Sequence, residues 1–450
     1  MTVAVAPPKP RRGGLRRRGV LQGACAVLGL NACTRAPAGR RELRFWAMGR
    51  EAEVVKALLA EFQRRHPQLS VQVQQIPWSS AHEKLLTAYV GNSLPDVFQL
   101  GNTWITEMAQ LDVLAPLQAH AQASAVVALD DYFPGILATN RASRIVARAT
   151  ADAPVLLGLP WYVDTRLLFY RRDLLAQAGF QQVAQHWAGW SQMLEALKTT
   201  LKGRGHPVFL AVNEFEPLLA LALQQDEAVL KHEGTRGNFS NPGFRRALGF
   251  YGDFFRNGWA ELQGKEQISN LWTEFGKGRF AFFVSGPWSI GELKRRLPPD
   301  QQASWGCAAL PGPHGPGASI AGGASLVVHK HSPHQQDAWS LLEYMNEPAV
   351  QARFYELTGN LPSRRSAWQL AGLHADDRTA AFADQLQRVK PAPAVLEWER
   401  IVVEMQRAAE QLVREGGELA PTLAALDMQV DEILAKRRWL LQQSSAERTA

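Results

Sequence analysis

Apolar and polar positions in the first third of the chain follow two alternating periods. Three short runs have the spacing of β-strands: 42–47, 71–76 and 97–100. Each run is followed by residues whose apolar positions recur at helical spacing, ending near 66, 91 and 112. Strands that alternate with helices predict an α/β fold with a mostly parallel sheet that is covered on both faces.

The loops that follow these three strands are predicted to lie together. Ligands of such sheets bind beside the carboxyl ends of the strands. The loops at those ends are 48–51, 75–78 and 101–104. We therefore expect all three loops to line a ligand cleft.

The segment from Gly158 to Leu175 departs from this alternation. It begins with a glycine and a proline that interrupt the preceding element, and it ends in an apolar strand followed by a helical pattern. Asp164 stands alone between an aromatic pair and the apolar strand. This arrangement is typical of a chain that crosses from one lobe to another, and it predicts that the crossing forms one wall of the cleft.

The second half of the chain contains further alternating elements. Strands are predicted at 208–212, 305–310 and 325–328. Helices are predicted to begin at Pro217, Asn241-Pro242, Ser332-Pro333 and Pro348. Residues 275–288 indicate a helix end, a strand and a turn that presents Trp288, and the chain is predicted to be helical from about Pro393 onward.

Length and charge bound the number of domains and exclude one class of partner. A chain of 450 residues is long enough for roughly two to three domains. The formal net charge is +7, but six of the 49 basic residues and none of the 42 acidic residues lie within 1–32. The rest of the chain is nearly neutral, so no nucleic-acid partner is expected.

The first 32 residues have the three parts of an export signal peptide. A basic region ends at Arg18, a weakly apolar stretch of about 11 residues follows, and the leader ends just before Cys33. So short a stretch cannot span a bilayer as a helix. Arg17-Arg18 resembles a twin-arginine export signal and 30–33 resembles a bacterial lipobox, which predicts lipidation at Cys33, with simple cleavage near Ala32 as the alternative.

The remaining candidates for covalent or metal chemistry have simpler interpretations. Cys307 is the only cysteine outside 1–33, so it has no partner for an internal disulfide and is interpreted as a buried, inert thiol. His329, His331 and His334 lie between a strand and the predicted helix start at Ser332-Pro333, where they are interpreted as solvated side chains. We predict no metal and no cofactor, because no metal-binding, phosphate-binding or nucleophile motif is present.

Several segments, taken in order, resemble one family. They are the leader, LPDVFQLGNTW, GLPWYVDTRLLFYRRDLL, the run 275–288, IAGGASLVV and GNLPSRR. Together they are similar to the extracellular solute-binding proteins of sugar ABC importers, particularly those for maltose and trehalose. The resemblance implies the two-lobe periplasmic-binding-protein fold, with a cleft that closes around the ligand by hinge motion.

The resemblance also implies that each lobe is discontinuous in sequence. Lobe 1 is expected to comprise 41–162 and 311–361. Lobe 2 is expected to comprise 165–307 and 362–440. The hinge passages are expected near 163–164, 308–310 and 361–362.

A sugar site requires flat aromatic surfaces and fixed polar groups, because a pyranose has an apolar C–H face and a rim of hydroxyls. Carried over by position, the family's ligand contacts fall on Glu51, Tyr162, Asp164, Trp288, Gly322, Gly323 and Arg364. Position in loops or turns adds Asn102, Glu214 and Trp398 as further candidates. Simpler roles stay open: Asp164 could pair with Arg166, Glu51 could stabilise a helix N-terminus, and Trp288 could fill a core.

Three positions depart from the family's nearest members. Gly101 stands in place of an aspartate, Gln75 in place of a basic residue of one branch, and Ala324 in place of a tryptophan. The asparagine at 102 could supply a neutral hydrogen-bonding group instead. The family resemblance therefore does not identify the exact sugar that this chain binds.

The leading hypothesis is a carbohydrate-binding component of an ABC importer. It would capture a mono- or oligosaccharide, with a maltose- or trehalose-like α-glucoside favoured, and deliver it to the membrane permease. We expect a monomer on the extracytoplasmic or periplasmic side of the membrane, held there by its lipid anchor. The alternatives are a binding protein for a polyol or sugar phosphate such as glycerol 3-phosphate, and an exported carbohydrate-active enzyme.

Overall fold

The computed structural model describes residues 40–142, 154–264, 268 and 270–449, with side chains described as far as 443. The predicted export signal and Cys33 lie outside the described residues. The strands are β1 Arg41–Met48, β2 Leu69–Ile76, β3 Val97–Gly101, β4 Arg141–Ala142, β5 Val155–Leu156, β6 Leu159–Asp164, β7 Leu167–Arg171, β8 His206–Phe209, β9 Leu230–Lys231, β10 Arg236–Gly237, β11 Phe280–Ser285, β12 Trp305–Ala308, β13 Ser319–Ile320, β14 Gly322–Val328, β15 Leu361–Pro362 and β16 Val389–Lys390.

Helices cover both faces of the two main sheets. They are α1 Gly49–Arg65, α2 Trp78–Val90, α3 Ile105–Gln110, α4 Gln118–Ala123, α5 Pro134–Thr139, α6 Arg172–Gln177, α7 Trp187–Leu201, α8 Glu216–Leu223, α9 Pro242–Arg256, α10 Leu271–Gly276, α11 Trp288–Arg296, α12 Gln335–Met345, α13 Pro348–Thr358, α14 Arg365–Leu370, α15 Asp377–Gln385, α16 Trp398–Glu415, α17 Leu419–Ile433 and α18 Ala435–Thr449. Within the described ranges, no helix is both long and apolar enough to cross a membrane.

The larger sheet has six strands in the order β15-β6-β14-β3-β1-β2. β1 pairs in parallel with both β2 and β3, whereas β14 is antiparallel to β3 and β6, and β15 is antiparallel to β6. The prediction of a mostly parallel sheet is therefore wrong for this half. β14 comes from late in the chain and inserts between β3 and β6, so that it reverses the strand direction.

Apolar residues alternate between the two faces of this sheet, as strand geometry requires. In β3, Val97 belongs to one core cluster, and Phe98 and Leu100 belong to the cluster on the opposite face. On the first face, α1 buries an apolar stripe at helical spacing that includes Val55, Leu59 and Phe62. The sheet is covered on both faces, as the sequence predicts.

The smaller sheet has four strands in the order β12-β7-β11-β8. Leu168 of β7 points into one core cluster, while Leu167 and Phe169 point into another. α16 packs onto the first of these clusters through an apolar stripe that includes Ile401, Met405 and Leu412. The second of these clusters also includes Val163 of β6 and Leu361 of β15, so it packs against both sheets.

Consecutive strands pass from one sheet to the other at the crossing that the sequence predicts. β6 ends at Asp164 in the larger sheet and β7 begins at Leu167 in the smaller one, with only Thr165 and Arg166 between them. The exact lobe boundaries and hinge passages stay predictions.

Three element boundaries differ clearly from the sequence prediction. The strand expected at 208–212 is β8 His206–Phe209. The strand expected at 305–310 ends at Ala308. The helix expected to begin at Ser332-Pro333 begins at Gln335. Ser332 does not cap that helix, because its hydroxyl donates to Asp96 Oδ1 at 2.6 Å and accepts from the backbone N–H of His334.

Candidate ligand-binding site

The loops at the carboxyl ends of β1, β2 and β3 meet at one edge of the larger sheet. Gly49 has a φ of +49°, and a β-carbon there would lie 2.9 Å from Trp78 Cδ1. The rings of Trp78 and Trp104 are 5.9 Å apart between centroids. The three loops expected to line a cleft are thus brought together, with two tryptophans between them.

Glu51 lies in the first turn of α1 and is buried. The hydroxyl of Tyr162 and the side-chain amide of Asn360 each donate to Glu51 Oε1 at 3.0 Å. Gln99 Nε2 in turn donates to the Tyr162 oxygen at 3.2 Å. Burial, together with the neighbouring Glu51 carboxylate, raises the pKa of Tyr162 well above its ordinary value, so the phenol stays protonated and can donate.

Asp164, Arg166, Glu216 and Trp288 form a compact group that we call the Asp164 cluster. Arg166 Nη1 donates to Asp164 Oδ2 at 2.7 Å, and Nη2 donates to Glu216 Oε1 at 2.6 Å. The guanidinium carbon lies 4.9 Å from the centroid of the Trp288 ring. The cluster joins the crossing to the first residues of α8 and α11.

The carboxylate of Asp164 is only half used by the protein. Oδ1 is buried and has no hydrogen-bond partner among the described residues. Burial raises the pKa of Asp164, and the Arg166 guanidinium acts in the opposite direction. An acceptor in this position favours a donor from outside the protein, because an unsatisfied buried carboxylate oxygen is costly.

Glycine at 286 is what allows Trp288 and Asp164 to approach each other. A β-carbon at Gly286 would lie 2.0 Å from Trp288 Cζ3 and 2.6 Å from Asp164 Oδ1. Trp288 itself is 36% exposed, at the first residue of α11. It therefore presents part of an aromatic surface to solvent, which the alternative interpretation as core filler did not predict.

Gly322 and Gly323 form the close backbone contact between β14 and β6. Gly323 has a φ of +113°, and a β-carbon there would lie 2.3 Å from the Tyr162 carbonyl oxygen. Asn102 lies beside this pair, since its Nδ2 donates to the Gly322 carbonyl at 3.0 Å. Ser325 Oγ donates to Asn102 Oδ1 at 2.8 Å, so the Asn102 amide is bonded at both ends.

Arg364 and Trp398 have evident structural roles in this conformation. Arg364 is 5% exposed and donates from Nε to Asp131 Oδ2 at 2.8 Å and from Nη1 to the carbonyls of Val126 and Asn346. Trp398 is 1% exposed within the core of the smaller sheet. The ligand contacts expected of these two residues stay predictions.

Glu214 lies in the loop after β8 and is half-buried. Its charge adds to burial in raising the pKa of the buried Tyr251 hydroxyl. Its part in ligand binding stays a prediction.

Trp104 and a histidine beside it were missed as site candidates. The His82 ring lies 5.2 Å from the Trp104 ring, and His82 Nε2 is 2.5 Å from Glu107 Oε2. The hydrogen bond to Glu107 raises the pKa of His82. The available signal was position, because the predicted cleft loops already contained Trp78 and Trp104.

Glu399 contacts the same region from the opposite sheet. It lies in the first turn of α16, and Thr103 Oγ1 donates to its Oε1 at 3.1 Å. Burial raises the pKa of Glu399. Nothing in the sequence indicates this contact, because 296 positions separate the two residues.

A cavity of about 610 Å³ opens beside Asn102, which is the one predicted site residue on its wall. Glu216 at the start of α8 bonds to Arg166, whereas Leu223 at the end of α8 lines the cavity. The eight residues of α8 rise about 12 Å. The cavity and the Asp164 cluster therefore lie at opposite ends of this helix.

The described residues contain no cluster of three or more side chains suited to a metal ion. The rings of His329 and His331 are 5.7 Å apart, and burial lowers the pKa of His329. Burial also raises the pKa of the half-buried Cys307 thiol well above its ordinary value.

Comparison with known proteins identifies the family. Residues 49–352 match the bacterial extracellular solute-binding proteins. The sugar-binding protein MalE of the phytopathogen Xanthomonas citri is 50% identical, with a TM-score of 0.84 over 89% of this chain and 99% of that one. The diacetylchitobiose-binding protein DasA of Streptomyces coelicolor is 22% identical over 79% of this chain and 80% of its own length.

A third relative shares the fold with a different ligand. UgpB of Mycobacterium tuberculosis, solved in complex with glycerophosphocholine, is 21% identical over 89% of this chain and 100% of that one, with a TM-score of 0.70.

The chain belongs to the bacterial extracellular solute-binding protein family. It has the two-lobe periplasmic solute-binding fold, as the sequence predicted. The family consists of solute-binding proteins, so the alternative of an exported carbohydrate-active enzyme is wrong.

Proposed function

We propose that the protein captures a neutral carbohydrate between its lobes and delivers it to an ABC permease. The ligand is a mono- or oligosaccharide, and an α-glucoside of the maltose or trehalose type is favoured. The Asp164 cluster is the centre of the site, with Glu51, Tyr162, Gly322 and Gly323 beside it.

The observation that carries the proposal is the unpartnered oxygen of Asp164 beside an accessible tryptophan. Oδ1 can accept a hydrogen bond from a sugar hydroxyl, while Oδ2 is held by Arg166. The exposed part of the Trp288 indole can stack on the apolar face of the sugar ring that carries this hydroxyl. A carboxylate next to an indole is the combination that a pyranose requires.

A second aromatic surface supports a ligand larger than one ring. Trp78 is exposed beside Gly49, and Trp104 lies next to it in the adjacent loop. These residues follow β2 and β3 of the larger sheet, whereas Trp288 follows β11 of the smaller sheet. Aromatic surfaces beside both sheets suit a ligand of two or more sugar units.

The preference for a neutral α-glucoside rests on charge and on the relatives. The guanidinium of Arg166 is already neutralised by two carboxylates, which disfavours a phosphate at this point. The 50%-identical relative is described as a sugar-binding protein. A polyol or sugar phosphate such as glycerol 3-phosphate is the second candidate, and the glycerophosphocholine complex of UgpB is the finding that favours it.

Delivery requires export and access to the membrane. We propose that 1–32 is removed, that Cys33 carries the lipid anchor, and that the monomer closes about hinges near 163–164, 308–310 and 361–362. Mass spectrometry of the membrane-associated chain tests the anchor: a diacylglyceryl modification lost in Cys33→Ala supports it. A cleaved chain beginning at or near Cys33 without lipid contradicts it.

A thermal-shift screen tests the ligand class. Maltose, trehalose, glucose, a polyol and glycerol 3-phosphate are compared. A bound ligand at a hundred times its Kd should add about 2.7 kcal/mol to the free energy of unfolding. Stabilisation by a neutral sugar supports the proposal, and stabilisation by glycerol 3-phosphate alone contradicts it.

A further inference from the structure

Arg166 is fixed at the crossing by its backbone as well as its side chain. Its N–H donates to Ser319 Oγ at 3.2 Å, and the same hydroxyl donates to the Arg166 carbonyl at 2.9 Å. Ser319 is fully buried in β13. The guanidinium therefore extends into the Asp164 cluster from a backbone that is held by two hydrogen bonds.

The guanidinium of Arg166 lies among two carboxylates and an aromatic ring. It forms ion pairs with Asp164 and Glu216, and their side chains are mostly buried. It also lies over the Trp288 ring. One positive charge thus stands between two carboxylates and an aromatic face, the groups that would otherwise make a site for an organic cation.

We propose that Arg166 sets the charge selectivity of the binding site. Its guanidinium occupies the cation position between the two carboxylates and the indole, so the site accepts neutral sugars and rejects ammonium-bearing ones. It acts as a positioning residue for Asp164, because it holds Oδ2 and leaves Oδ1 for a ligand hydroxyl. This inference rests on the proposed function.

Removal of Arg166 should change the site's preference from neutral sugars to ammonium-bearing ones. In Arg166→Gln the two carboxylates lose their counter-charge, and an ammonium group can take the place of the guanidinium. The Kd for a neutral sugar should rise by about tenfold or more, because one partner of a buried ion pair is removed. The ratio of Kd for the amino sugar to Kd for the neutral sugar should fall by about tenfold or more.

The experiment uses matched ligands and matched variants of the full chain. Maltose and trehalose are each titrated alongside their 2-amino-2-deoxy analogues, near pH 6, into the wild type, Arg166→Gln, Arg166→Lys and the double variant Arg166→Gln/Glu216→Gln. Arg353→Gln removes an exposed arginine that is paired with Glu356 on α13 and serves as the control.

The expected results separate charge from structure. Arg166→Lys and the double variant, in which one carboxylate is neutralised together with the arginine, should both return toward the wild-type preference for the neutral sugar. An unchanged ratio of the two Kd values in a folded Arg166→Gln, with neutral sugar still bound by the wild type, overturns this inference and leaves the proposed function standing. A wild type that binds none of the neutral sugars of the thermal-shift screen overturns both.

A folding defect in Arg166→Gln would still leave a decisive variant. Glu216→Gln retains Arg166 and removes one carboxylate, so the ratio of Kd for amino sugar to Kd for neutral sugar should rise by about tenfold. A constant or falling ratio in this variant overturns the inference.

Discussion

Arg166 holds Asp164 by one carboxylate oxygen and leaves the other without a partner. The distance from Nη1 to Oδ2 is 2.7 Å, and Oδ1 is buried beside Gly286 and the Trp288 ring. The cost of burying that oxygen is recovered only when a donor reaches it. The Arg166–Asp164 pair therefore lies both at the crossing between the sheets and at the point where we propose that the sugar binds.

Trp288→Ala should weaken sugar binding by about tenfold or more without unfolding the protein. The ring is partly exposed at the start of a helix, so its loss removes a stacking surface and little of the core. The melting temperature should change by no more than about 2 °C. Calorimetric titration and thermal unfolding measure the two effects, with Trp439→Ala, which is exposed on α18, as the control. Equal affinity in Trp288→Ala and the control would place the stacking surface elsewhere.

Arg364→Ala should cost about 3–5 kcal/mol of unfolding free energy, because it removes a buried guanidinium that pairs with half-buried Asp131 and bonds two backbone carbonyls. Arg353→Ala removes an exposed ion pair and should cost less than about 1 kcal/mol. Urea unfolding monitored by fluorescence measures both values. A loss in Arg364→Ala no larger than in the control would show that Arg364 does not anchor this region.

Acid sensitivity should follow the same ion pair. Burial favours a higher pKa for Asp131, but hydrogen bonds from Ser366 and Arg364 outweigh it and lower the pKa below 3.8. The ionised carboxylate therefore contributes stability above about pH 3.8, and this contribution is lost as the pH falls through the lowered pKa. The free energy of unfolding should decline less steeply over this acid range in Arg364→Ala than in the wild type. Parallel pH profiles would contradict this linkage.

Glu107→Gln should lower the pKa of His82 toward 6.5, because the hydrogen bond that His82 donates to the Glu107 carboxylate is the main cause of its elevation. A raised histidine pKa contributes stability below about pH 6.5, and that contribution is lost as the pH rises through the folded value. The variant should lose about 1 kcal/mol near pH 6 and less near pH 9. NMR titration of His82 measures the pKa, and urea unfolding at both pH values measures the stability. The same loss at both pH values would exclude the charged hydrogen bond as its source.

Cys307 should resist alkylation in the folded protein. Burial raises the pKa of its thiol, and the thiolate is the reactive form. In a Cys25→Ser/Cys33→Ser chain, labelling by iodoacetamide near pH 8 should be at least about a hundredfold slower than in denaturant. Equal rates in the two conditions would contradict the interpretation of an inert thiol.

The local elements and the crossing could be predicted from the sequence because periodicity and turn residues are local signals. The direction of β14 could not, because its place between β3 and β6 depends on a pairing between distant parts of the chain. The burial of Arg364 is similar, since its partner Asp131 lies 233 positions away.

In the candidate site, too, local features could be predicted from the sequence and long-range contacts could not. Asp164 and Trp288 could be found from their positions in turns and from the family resemblance. Their approach over Gly286 and the coverage of Trp288 by Arg166 depend on three-dimensional packing. Glu399 reaches Thr103 from the other sheet, and no short-range pattern predicts such a contact.

The sugar site at the Asp164 cluster is tested by titrating the most stabilising neutral sugar into the wild type and Asp164→Ala. Asp253→Ala, which removes a more exposed carboxylate of α9, serves as the control. We expect the wild type and the control to bind one sugar saturably and to release it chemically unchanged. We expect a Kd at least about tenfold higher in Asp164→Ala. The same Kd in all three proteins, with Asp164→Ala folded, would contradict a sugar site at the Asp164 cluster.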